Sequence, residues 1–178
     1  IYTRRYSKRI LRSNRRLGSS IFWSISMAVE EIKRITEDLK DNFEYVLDTR
    51  KYGKRDAWYV MRPDPLAKTW PIYRGDCEDF SLTVLYHYSA KSWLKFWYYL
   101  LTYKAQIRFC YVDTPDRGHA VLKFGDVYID NIFGTTTTKD KMETRGYVFK
   151  EPAWLYFIPT TVAIKLLLGK LWKTKSMG

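Results

Sequence analysis

The stretch Gly75-Asp76-Cys77-Glu78-Asp79-Phe80 decides how this sequence is read. Gly75 supplies a tight turn, Asp76 is a good N-cap, and Asp79 stands where a capping-box acid would stand. A helix over 76–90 is therefore expected. Along it Cys77, Phe80, Ser81, Val84, Leu85 and Tyr88 share one face. Cys77 falls at the first or second helical position, turned towards the core. Backbone N–H groups and the helix dipole favour a thiolate there. The same N–H groups can serve in an oxyanion hole. Asp76, Glu78 and Asp79 act in the opposite sense, because close carboxylates raise a thiol pKa. Cys77 is a candidate nucleophile that needs an imidazolium partner, or acids turned away onto a cation such as Arg74.

The chain has two histidines. His87 lies on the same helix as Cys77 but on a different face. His119 opens a stretch that runs to Phe124, meets Gly125-Asp126, and returns from Val127 to Ile132. A two-residue turn at Gly125-Asp126 pairs Phe124 with Val127, Val121 with Asp130 and His119 with Ile132. His119 and Asp130 then become diagonal neighbours on one face, roughly 7 Å apart at the backbone. From there a carboxylate can orient the imidazole. A one-residue slip in register would part them. A cysteine at a helix start, a histidine on a strand and an aspartate on the next strand form a nucleophile, base and orienting acid. Asn131 is the runner-up for the third role. Cys110, inside an alternating strand over 105–113, reads as a buried strand residue.

Elsewhere the pattern is structural. Ile25, Ala28, Val29, Ile32, Ile35, Leu39, Phe43 and Val46 recur at helical spacing and predict a helix over 24–48. Residues 54–74 read as loop, broken by Pro63, Pro65 and Pro71, with a short strand at 57–61. The aromatic stretch 91–104 predicts a helix, either buried on several sides or docked on a partner or membrane; core packing is favoured. Residues 147–149 predict a strand.

Composition sets the outer limits. With 178 residues, 46% hydrophobic and 17% aromatic, the chain can build one core, which excludes wholesale disorder. The net charge of +12 is concentrated at the ends. Residues 1–20 form a basic arm carrying Arg4, Arg5, Lys8, Arg9, Arg12, Arg15 and Arg16 and no acid. Residues 159–178 form an amphipathic, lysine-bearing tail, and 21–158 the domain between. Such ends suit an acidic protein surface, nucleic acid or an anionic membrane. No nucleic-acid-binding motif accompanies them. Two cysteines exclude a disulfide framework and a four-cysteine zinc site. The apolar run 153–172 is interrupted by Pro159, Lys165, Gly169 and Lys170 and is not a clean membrane span. Ser24 and Ser26 interrupt the run after the basic arm, so a secretory signal is not expected.

Three motifs in order, Gly75–Phe80, Gly118-His119-Ala120-Val121-Leu122 and Ile129-Asp130-Asn131, resemble the bacterial transglutaminase-like cysteine proteinases. The resemblance covers roughly residues 70–133. Trp70-Pro71 is similar to an aromatic-proline element before that family's cysteine. The resemblance implies an α+β, papain-like fold with the cysteine-bearing helix packed on an antiparallel sheet. It also implies Cys77 as nucleophile, His119 as base and Asp130 as orienting acid. Trp70, just upstream of the cysteine turn, is an accessory wall of the site or a hydrophobic plug under the loop, the plug being favoured. A protein or peptide substrate follows from the resemblance, with hydrolysis, or acyl transfer by the same triad, as the reaction. No cofactor is required, although secreted members bind calcium near the active site, which here points to Asp76, Glu78 and Asp79. Related domains occur in phage proteomes. A basic arm that threads onto neighbours suits a virion component, so a larger assembly and a cytoplasmic or virion setting are expected. A catalytically retired docking protein is the alternative.

Overall fold

The computed structural model describes residues 26–48, 58–63, 73–150 and 157–176. The basic arm, Trp70 and Pro71 lie outside the described residues. Helix α1 (residues 26–41) buries Ile32, Thr36 and Leu39 at helical spacing. It stops short of the expected end near Asp48. Asn42 closes it, donating its backbone N–H to Leu39 O at 3.2 Å and its side-chain Nδ2 to Asp38 O at 2.9 Å. Strand β1 (Phe43–Tyr45) follows, paired in parallel with β2 (Tyr73–Gly75). Phe43 and Val46 thus fit a helical period by sequence yet serve a strand and its continuation. Tertiary pairing overrides the local pattern: Phe43 stacks edge-on against Phe80 at 5.0 Å, and Val46 donates to Gly75 O at 2.8 Å.

β2 feeds directly into α2 (Cys77–Tyr88), which is buried at every position from Asp79 to Leu85. A helix buried all round is the centre of its domain. Beyond a turn it is followed by α3 (Trp93–Leu101), capped by Ser92, whose Oγ accepts from Lys95 N at 3.4 Å. Strands β3 (Ala105–Val112), β4 (Thr114–Phe124), β5 (Val127–Ile129), β6 (Thr136–Thr137) and β7 (Tyr147–Phe149) form an antiparallel sheet in the order β6-β5-β4-β3-β7. A short helix, α4 (Lys139–Thr144), precedes β7, and α5 (Phe157–Ser176) closes the described chain. The architecture is α+β.

Two cores face opposite sides of the sheet. On one side α1, α2, α3 and α5 pack Ile32, Phe80, Leu82, Phe96, Leu100 and Val162 against Ile107, Ala120 and Leu122. On the other, Met142 of α4 covers Cys110, Val112, Val121, Tyr128 and Tyr147. β3 shows where helical cover ends. Ala105 and Ile107 are buried on the helix side, but Phe109, the next residue on that face, is exposed. Cys110 and Val112, on the other face, are buried. A cleft opens beside Phe109.

The segment 58–63 has no regular structure yet is firmly held. Asp79 Oδ1 accepts from Tyr59 N at 2.7 Å, and Thr83 Oγ1 accepts from Met61 N at 2.8 Å. Side chains of α2 thus replace the ladder that a strand would have made there. α5 lies against this segment. A Cβ at Gly169 would run into Trp58 O, so only glycine permits that approach. The C-terminal tail is therefore a packed helix for much of its length, with Val162 fully buried.

Candidate active site

The cleft is a cavity of about 420 Å³ lined by Cys77, His119, Cys110, Glu78, Asp48 and Asp76, with Tyr45, Leu47, Phe109, Gly118 and Lys150 around them. Asp76 caps α2, its Oδ1 accepting from Asp79 N at 3.3 Å. Cys77 is the first residue of the helix and buried. Gly75 is required just before it: a Cβ there would lie 2.6 Å from Asp79 Oδ2 and 2.8 Å from Met61 Sδ.

The β4–β5 register is the one expected from the Gly125-Asp126 turn. Phe124 pairs with Val127, Lys123 with Tyr128 and Leu122 with Ile129. Continuing it by one residue sets Asp130 beside Val121, diagonal to His119. His119 Nε2 and Asp130 Oδ1 are 2.7 Å apart, and both residues are buried. As a carboxylate, Asp130 accepts Nε2–H. Nδ1 is then the basic ring nitrogen. Asp130 also accepts from Ile132 N at 3.2 Å and from the Tyr147 hydroxyl at 2.6 Å. Burial and the donated bond to Asp130 hold the Tyr147 hydroxyl well above its usual pKa. Tyr147 stays a donor.

Asn131, the runner-up, is buried, and its Oδ1 has no hydrogen-bond partner among the described residues. It does not hold His119. His87 is remote in function: it stacks edge-on with Tyr73 at 5.9 Å, and burial and Lys91 lower its pKa.

Cys77 differs from expectation in its partners. Its Sγ lies 2.9 Å from Glu78 Oε2, and it receives a backbone hydrogen bond from Ala120, next to His119 on β4. Among the described residues, no hydrogen bond joins Sγ to the imidazole. Burial, then the charge of Glu78, its hydrogen bond, and the charge of Asp76 push the thiol pKa well up; the Ala120 amide opposes them. The helix terminus alone does not produce a thiolate, because desolvation and two carboxylates outweigh it. Cys110, opposite His119 in the β3–β4 ladder, shares the cavity wall. Its Sγ is 3.7 Å from His119 O, and burial with the nearby Asp130 raises its pKa to about 12. It is the buried strand residue expected.

The acidic residues sort differently from the sequence reading. Asp76 and Asp79 gather with Asp48, with one carboxylate oxygen from each within 4.8 Å of the others, all three residues buried. These oxygens suit a hard cation such as calcium. Glu78 is outside the cluster, on the Cys77 sulfur. Asp48 and Tyr147 were not singled out as site residues by sequence. Neither stands near a motif residue in the chain, and only the fold brings them in. No helix among the described residues is long and apolar enough to cross a membrane. Compared with known proteins, the chain matches no family model and no curated sequence.

Proposed function

We propose that this domain is a thiol-dependent acyl-transfer enzyme acting on a peptide or amide bond, with water as the first acceptor to consider. The buried His119–Asp130 pair carries this reading, because it opens on the same cavity as a cysteine at a helix N-terminus. His119 Nδ1 takes the proton of Cys77 as Sγ attacks the substrate carbonyl. The C–N bond then breaks, and the imidazolium gives its proton to the leaving amine. Water, deprotonated by the same nitrogen, hydrolyses the thioester. Asp130 and Tyr147 keep the imidazole in one tautomer throughout. For this cycle to start, Glu78 must leave the thiol and the His119 ring must turn to it. An amine in place of water would make the enzyme a transferase.

The papain-like identity of the fold belongs to the same reading and rests on the three motifs and their helix-on-sheet arrangement. Calcium, if bound, would be held by Asp48, Asp76 and Asp79 and would fix the start of α2.

A second reading has one observation in its favour. The Cys77–Glu78 hydrogen bond and the raised thiol pKa describe a resting thiol, as a retired site used for docking would have. The test is acylation by p-nitrophenyl acetate, followed by peptide mass spectrometry. An acetyl group on Cys77, absent in Cys77→Ala and slow to leave in His119→Ala, is the expected result. Acetylation of neither thiol would leave docking as the function.

A further inference from the structure

The outward face of α3 does not line the cleft and carries several exposed apolar side chains. Leu94, Tyr98 and Leu101 lie at spacings that place them along one side of the helix, with Trp93 at the edge of the buried side. The three are 84%, 50% and 63% exposed, and Trp93 46%. The opposite side is core: Phe96 and Leu100 are fully buried. α3 therefore presents apolar groups on both sides, and among the described residues only one side is buried. α5, which packs against α3, adds Ile164 and Leu167 at 53% and 60% exposure.

α3 and the residues that flank it in the chain are basic. From Phe80 to Tyr103 the sequence contains Lys91 and Lys95, both exposed, and no aspartate or glutamate, and Lys104 follows α3 directly. Phe157–Ser176, with Lys165 and Lys170, again contains no acid. Lys104 reaches across Tyr98, its Nζ 5.0 Å from the ring centre and donating to the hydroxyl at 3.1 Å. An aromatic with a polar tip under a lysine is a combination suited to a lipid headgroup layer.

We propose that α3, flanked by α5, docks this domain onto an anionic bilayer surface, with Leu94, Tyr98 and Leu101 entering the headgroup–acyl boundary. Charge complementarity selects this occupant. A second copy of the chain would set lysines against lysines. Nucleic acid would pair with the lysines but leave Leu94 and Leu101 in water. An anionic membrane satisfies both, and an amphipathic helix lying in the interface needs no spanning length. The proposal is independent of the chemistry at Cys77.

The test is co-flotation of the full chain with vesicles of pure phosphatidylcholine and with vesicles containing about 30% phosphatidylserine. Binding is expected to the anionic vesicles and to fall at least about tenfold in Leu94→Asp/Leu101→Asp, since the apolar contact is lost. Both positions are solvent-facing, so the circular dichroism spectrum and melting temperature should match the parent. At about 0.5 M salt the basic arm is screened, while part of the α3-dependent binding should persist. Absence of binding overturns the proposal, as does binding that the double substitution leaves unchanged. Self-association in sedimentation, abolished by the same substitutions and unaccompanied by vesicle binding, would assign the face to a second copy instead.

Discussion

The Tyr147 hydroxyl donates to Asp130 across the width of the sheet, at 2.6 Å. Asp130 follows β5 and Tyr147 begins β7, with β4 and β3 between them. On a flat sheet three strand spacings amount to about 14 Å. A tyrosine cannot span that gap and leave a hydrogen bond at its end. The sheet must curl so that β5 and β7 approach over the His119 side. Curling sets the imidazole between the strands, 2.7 Å from the carboxylate and edge-on to the Tyr147 ring at 6.0 Å.

Tyr147→Phe keeps the ring and removes one bond to a buried carboxylate. The folded state should lose about 2 kcal/mol, read by urea denaturation. The His119 tautomer, followed by imidazole nitrogen chemical shifts, should become mixed. Loss of stability with the tautomer unchanged would make Tyr147 a packing residue only.

Glu78 is the adjustable contributor to the high Cys77 pKa. Burial is the largest cause and persists in any variant, but the charge and hydrogen bond of Glu78 come next. Glu78→Ala should lower the thiol pKa and so raise the rate of alkylation by iodoacetamide several-fold at pH 8. The rate is measured against Cys110→Ser as background. In His119→Ala the gain should be smaller if the freed thiol turns to the imidazole. An unchanged rate in Glu78→Ala would mean that burial alone sets the reactivity.

The His119–Asp130 pair was legible because a two-residue turn fixes antiparallel register, and register fixes which side chains meet. Cys77 at a helix start was legible from Asp76 and Asp79 for a similar local reason. The end of α1 was not. Phe43 and Val46 obey the helical period, and only pairing with Tyr73–Gly75, far along the chain, makes strand the better choice. The partner of Cys77 was also hidden. The sequence placed Glu78 beside it, but whether the carboxylate turns to the thiol or to a cation is decided by rotamers. Arg74 in fact pairs with Glu44, at 2.7 Å. The aromatic stretch was half legible: its pattern admitted both burial and docking, and α3 shows a buried side and a bare one.

Alkaline pH should unfold this protein earlier than its pI suggests. The Cys110 thiol is raised from 9.0 to about 12. Below pH 9 it is protonated in both states and its full contribution is present. Between pH 9 and 12 the unfolded chain releases the proton and the folded one keeps it, so stability falls as pH rises. The slope is about 1.4 kcal/mol per pH unit for one such group. Cys77, also raised, and Tyr59 and Tyr88, raised to about 12, act with the same sign. Cys110→Ala should reduce the slope by one group's share in urea titrations between pH 9 and 11. An identical slope would mean that Cys110 ionises freely in the folded state.

Gly75 and Gly118 each precede a catalytic candidate in the chain, and they should differ sharply in their response to alanine. At Gly75 the new methyl would stand 2.6 Å from Asp79 Oδ2 and 2.7 Å from Asp79 Cβ. Asp79 is fully buried and pinned by Tyr59 N, so it cannot yield without loosening segment 58–63. Gly75→Ala should therefore cost about 3 kcal/mol, as overpacked cores do. At Gly118 nothing lies within 4 Å of the added Cβ. Gly118→Ala should stay within about 0.5 kcal/mol of the parent. Thermal denaturation of the two variants side by side decides it. Equal melting temperatures would show that β2 and α2 can separate at Gly75, and with them the N-cap that positions Cys77.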